Sequence, residues 1–237
     1  MRALGRIKYK RSSNAAGDFM PQLFERRANA IALAALIAVP LIVVGGWGAL
    51  FALARSDFWT GVDSPVEQPV LFSHQHHVGG LGIDCRYCHT SVESSSFAGI
   101  PATEICMTCH SQVWKDAPVL QPVRESWQTG RPLQWTRVHD LPDYVYFDHS
   151  IHLNKGVGCA TCHGQLNEMP LTWKTRDLQM RWCLDCHRQP ERFLRPTNAV
   201  VDMHYVTPSN QITLGQRLVR QNNVHTAGLT DCVTCHR

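Results

Sequence analysis

No cysteine in this chain stands outside one repeated pattern. All 10 Cys of the 237 residues fall in Cys-x-x-Cys-His runs, so none is left over for a separate disulfide framework. Charge is also missing where it would matter. Not one Asp, Glu, Lys or Arg lies between Ala30 and Ala54, a stretch too apolar and too long for an ordinary loop. Beyond residue 55 there is no basic excess, with 15 Lys+Arg against 17 Asp+Glu. That balance argues against a nucleic-acid partner. Strand signals are scarce too; Val145-Tyr146-Phe147 is too short to carry a sheet.

What is present is a motif repeated five times. The runs are Cys85/Cys88/His89, Cys106/Cys109/His110, Cys159/Cys162/His163, Cys183/Cys186/His187 and Cys232/Cys235/His236. Two thiols at this spacing reach both vinyl groups of one porphyrin, and the adjacent imidazole becomes an axial ligand to its iron. Disulfides would not need a histidine after each second cysteine. Zinc sites place their third and fourth ligands further along the chain. The expectation is five covalently bound haem c groups.

The apolar stretch exceeds the roughly 20 residues needed to cross a bilayer as a helix, and outruns the 7–15 or so of a secretory signal. Ala52-Leu53-Ala54 does resemble a small-residue cleavage site, but the length favours an uncleaved anchor. Arg2, Arg6, Lys8, Lys10, Arg11, Arg26 and Arg27 precede it, against Asp18 and Glu25. The positive-inside rule then gives a cytoplasmic arm at 1–27, a membrane helix at 28–55 and a periplasmic five-haem domain at 56–237. Gly45, Gly46 and Gly48 leave a smooth strip on that helix where another helix could approach.

The domain repeats itself. Phe72-Ser73-His74-Gln75-His76-His77 stands seven residues before Cys85, and Phe147-Asp148-His149-Ser150-Ile151-His152 stands six before Cys159. Each copy continues to a second motif, 21 residues on from Cys85 to Cys106 and 24 from Cys159 to Cys183. Two dihaem repeats at about 70–123 and 145–198, with a fifth site at 199–237, is the natural parsing. A stretch rich in Pro and Trp at about 111–138 reads as the linker. Histidines at i and i+3 share one helix face, so His74/His77 and His149/His152 can each serve two irons. His139 is the favoured fifth distal ligand, with His225, Met180 and Met169 as alternatives. His76 and His204 read as ordinary surface or propionate-facing histidines.

Five haems on so short a domain would themselves form the apolar interior. Mostly α and irregular structure is expected, with a helix at or just before each motif. None of the five runs departs from Cys-x-x-Cys-His, and distal histidines are plentiful. That combination suits an electron relay better than a reductase with haem as its active site.

The Phe-x-His-x-x-His pairs resemble those of cytochromes c3 and c7. There the first His ligates the haem just downstream and the second ligates another. Over residues 28–237 the order of motifs resembles the pentahaem cytochrome c subunit of alternative complex III, a quinol:acceptor oxidoreductase. The resemblance rests on Ile83-Asp84-Cys85-Arg86-Tyr87-Cys88-His89, Ile100-Pro101, Arg137-Val138-His139-Asp140-Leu141-Pro142-Asp143 and Met180-Arg181-Trp182-Cys183. It implies an iron–sulfur molybdopterin-like subunit, polytopic quinone-binding subunits and a monohaem cytochrome c as partners. It also implies menaquinol as the electron source and a periplasmic cytochrome c as acceptor. A stand-alone tetrahaem-type membrane quinol dehydrogenase is the alternative, disfavoured by the fifth motif and the duplication.

Overall fold

The computed structural model describes residues 26–236; the basic arm, apart from Arg26 and Arg27, lies outside them. The chain divides into two units, one up to Ala52 and one from Leu53 onward. The described part of the first is helix α1 (Arg26–Ala54), which runs on into the second and contains Pro40. It is the one helix among the described residues long and apolar enough to cross a membrane.

The second unit is helical and irregular, and its only β pairings among the described residues are the isolated bridges Val62↔Lys174 and Val157↔Leu194. After α2 (Asp57–Thr60) come a π-helix (Gln75–Gly80), α3 (Cys85–Cys88), α4 (Thr103–His110) and α5 (Gln121–Thr129). Then follow α6 (His149–Asn154), α7 (Cys159–His163), α8 (Met180–Arg188), α9 (Gln211–Gln221) and α10 (Cys232–Cys235). Every Cys-x-x-Cys-His run therefore sits on a helix, which begins at the first Cys or three residues before it.

The protein core is thin. Only eleven apolar side chains among the described residues are buried, Pro190 included, in a unit of this size. They gather mainly in two small clusters, one around Val70, Leu120 and Val123 and the other around Val92, Leu153 and Val200. A domain of this length ordinarily buries most of its surface, whereas few apolar side chains are covered here by protein alone.

Two local outcomes differ from the sequence reading. The stretch expected as a linker holds α5, whose Val123 and Ser126 are buried. Its proline, Pro122, sits in the first turn, where the missing N–H costs nothing. The two histidine repeats also differ in their helices: α6 is an α-helix, but the first repeat winds as a π-helix. The first repeat has one more residue between its second His and its Cys, and a π turn absorbs one extra residue. Gly79 suits that turn, because a Cβ there would collide with the backbone carbonyl of Asn167.

Candidate haem sites

Local capping holds the histidine-bearing segments. Asp84 caps α3 by accepting from the Arg86 amide at 2.8 Å, and Asp148 caps α6 by accepting from the Ile151 amide at 3.2 Å. The Ser150 hydroxyl donates to Asp148 at 2.7 Å and holds its carboxyl below the usual range. In both repeats the leading Phe walls the two imidazoles. Phe147 stacks on His152 and meets His149 edge-on at 4.8 Å; Phe72 stacks on His77 and meets His74 edge-on at 4.9 Å.

Eight of the imidazoles are oriented through Nδ1. That atom faces a backbone carbonyl in His77 (Ser73, 2.9 Å), His89 (Gly99, 2.6 Å), His110 (Val113, 3.0 Å) and His149 (Ser96, 2.9 Å). The same holds for His152 (Asp148, 2.6 Å), His187 (Leu229, 2.8 Å) and His236 (Tyr144, 3.0 Å). In His74 it meets the Thr172 hydroxyl at 2.9 Å. A carbonyl can only accept, so Nδ1 carries the proton and Nε2 keeps a lone pair. This is how a ligating histidine is held.

Three pairs of rings face one another at nearly one spacing. Their centres lie 6.2 Å apart in His77–His110, 6.4 Å in His149–His163 and 6.1 Å in His152–His187. Two metal–nitrogen bonds of about 2 Å plus the distance from each nitrogen to its ring centre come to about 6 Å. Each gap therefore admits one iron held from both sides. The donor sets fit haem.

His139 is placed differently. Its ring centre is 4.2 Å from that of His163, too close for an iron between them. Its Nε2 is nevertheless buried with no hydrogen-bond partner. Burial lowers the pKa of His139 and of His74 to about 4, and that of His163 to about 3. All three are therefore neutral and able to ligate. Met169 is buried, and its carbonyl accepts from the Gln75 amide at 2.9 Å; Met180 opens α8 with most of its surface exposed. His225 is exposed, His76 stacks on Trp114 at 6.0 Å, and the His204 amide donates to Asp202.

Sequence reasoning missed Thr172 and the anchoring carbonyls of Ser96, Leu229 and Tyr144. They come from segments 42 to 98 residues away from the rings they hold. Backbone acceptors carry no signal in residue type. No disulfide joins any of the ten cysteines. Among the described residues, no three His, Cys, Asp or Glu side chains group to hold a bare metal ion.

These features define the class: the chain carries a multihaem cytochrome c domain, mostly helical and built for electron transfer. Comparison with known proteins agrees. The family described as cytochrome c7 and related cytochrome c matches residues 145–237, the second repeat and the fifth motif. The chain is also similar to the menaquinone reductase multihaem cytochrome c subunit of Nitratidesulfovibrio vulgaris, at 39% identity over 109 residues. That alignment covers 46% of this chain and 50% of the relative, so the chain spans about half of the relative's length.

Proposed function

We propose that the chain is a membrane-anchored pentahaem electron-transfer subunit of a quinone-linked complex, its haem domain on the periplasmic side. The observation that carries this is the trio of imidazole pairs at 6.1–6.4 Å, each joining a motif histidine to a repeat histidine. Haem bound at these sites supplies reversible one-electron chemistry. The chain attaches it through Cys85/Cys88, Cys106/Cys109, Cys159/Cys162, Cys183/Cys186 and Cys232/Cys235. The proximal ligands are His89, His110, His163, His187 and His236.

The distal ligands in this reading are His74, His77, His149 and His152, together with His139. The orphaned Nε2 of His139 is the state expected of a ligating nitrogen whose iron lies elsewhere than between it and His163. The Nδ1 contacts of His74, His77, His149 and His152 hold those four rings in one orientation, so little reorganisation accompanies transfer.

The parent assembly in this reading is of the alternative complex III type. Its partners are an iron–sulfur molybdopterin-like subunit, polytopic quinone-binding subunits and a monohaem cytochrome c. Menaquinol supplies electrons, and a periplasmic cytochrome c or similar carrier accepts them. A second reading reverses the flow. The relative's name makes it a subunit of a menaquinone reductase, which favours electrons entering the quinone pool through such a chain.

Purification of the full chain in mild detergent, with a pyridine haemochrome assay, tests the proposal. Five haems per chain within a large multi-subunit assembly supports it. A lone chain that oxidises quinol by itself points to the stand-alone dehydrogenase. Two or fewer haems per matured chain defeats the reading altogether. The flow direction follows from whether the purified assembly reduces its haems with menaquinol or oxidises them with menaquinone.

A further inference from the structure

We infer that the five attachment sites do not follow sequence order in space: they run second, first, third, fourth, fifth. This rests on the reading that all five motifs are loaded with haem.

The second and first sites are neighbours through their helices. The Tyr87 hydroxyl on α3 meets the Thr108 hydroxyl on α4 at 3.0 Å. Cys88 lies close to Cys106 and Cys109.

The first and third sites are joined most closely. The Cys85 and Cys159 sulfurs lie side by side. The loop after the first motif carries the second repeat: the Ser96 carbonyl accepts from the His149 amide at 3.1 Å and faces His149 Nδ1 at 2.9 Å. Reciprocally, the segment after the third motif carries the first repeat, through Met169 to Gln75 and Thr172 to His74, both at 2.9 Å. Each repeat is thus braced by the other's first site.

The third and fourth sites share α6, since His149 faces His163 while His152, one turn on, faces His187. Cys162 lies beside Cys183 and Cys186. The fourth and fifth meet where His187 Nδ1 reaches the Leu229 carbonyl, three residues before Cys232, and where Cys183 approaches Cys235. Among the described residues, no hydrogen bond or ring contact of these kinds ties Cys106–His110 to Cys159–His163. The second site is an end, and the first stands between it and the rest.

The consequence is specific. The motif at Cys106–His110, second along the chain, is the terminus opposite the one at Cys232–His236. Partners that exchange electrons at the ends of the row therefore meet residues of the 106–114 region or of the C-terminal segment.

The test uses the full-length holoprotein. A single-particle map should place the iron held by His163 closer to that of His89 than to that of His110. Independently, His77→Met should raise the potential of the second site so that it reduces first. A charge gained there acts on a neighbour with an energy that falls with distance. In a redox titration followed by NMR of the individual haems, the first site's midpoint should drop several-fold more than the third's. Five haems with the third site nearest the second, or shifting as much as the first, overturns the order and leaves the five-haem reading intact. Fewer than five covalent haems overturns both.

Discussion

The ring of Phe147 lies 4.4 Å from that of His152 and is inclined to it by 26°. Phe72 stands to His77 in the same way, at 4.5 Å and 21°. The aromatic residue of each Phe-x-His-x-x-His repeat is therefore a wall that fixes the imidazole plane. Such a stack contributes about 1 kcal/mol beyond its burial. In Phe147→Leu all five haems should still attach, because attachment uses only the Cys-x-x-Cys-His runs. The His152 ring should gain rotational freedom, broadening one low-spin signal in the electron paramagnetic resonance spectrum. A spectrum identical to wild type would show that the wall has no orienting role.

The cap on α6 is a second place where little chemistry holds two histidines. Asp148→Ala removes the oxygen that accepts from the Ile151 amide and the Ser150 hydroxyl. Losing such a cap costs about 1 kcal/mol, and the melting temperature of the holoprotein should fall by a few degrees. The Ser150 hydrogen bond, the largest cause, depresses the Asp148 carboxyl. Its stabilisation is therefore present above the ordinary carboxylate pKa and lost as pH falls through the lowered one. The gap in melting temperature between wild type and Asp148→Ala should close in acid.

Much of this was legible in the sequence because the information is local. Cys-x-x-Cys-His states its own spacing, and His149 with His152 share a face whatever lies around them. The one-residue difference between the gaps before Cys85 and Cys159 was also there to read, and it becomes the π turn at Gln75–Gly80. What could not be read is which ring faces which. That depends on carbonyls such as Ser96 and Leu229 arriving from distant segments. Helix α5 was hidden by Pro118, Pro122 and the neighbouring tryptophans, which argue against a helix unless the proline falls in the first turn, as Pro122 does.

Gly79 tests whether the π turn matters. A methyl group there meets the backbone carbonyl of Asn167, which cannot swing aside as a side chain would. Gly79→Ala should destabilise the domain by about 1–3 kcal/mol. Gly80→Ala, whose Cβ would meet only the Gln75 carbonyl at 3.7 Å, should cost less. Equal melting temperatures for the two variants would mean that the turn yields freely.

The second histidines of the repeats carry the sharpest expectation. His77 faces His110 and His152 faces His187, each across a gap of the size one iron needs. Neither faces the motif immediately downstream of its own repeat. Replacing His77 or His152 by Ala should leave five covalent haems and convert one low-spin iron in each variant to a five-coordinate or water-ligated high-spin one. The identity of that iron follows from the pairs: the haem of Cys106/Cys109 for His77, and that of Cys183/Cys186 for His152. Its potential should move while those of distant sites stay in place. His139→Ala should convert a different iron, because His139 crowds His163 at 4.2 Å and cannot share an iron with it. Magnetic circular dichroism counts high-spin haems directly, and NMR of the haem methyls names the one affected. Low-spin spectra unchanged in both repeat variants would transfer the ligand roles to His225 or Met180.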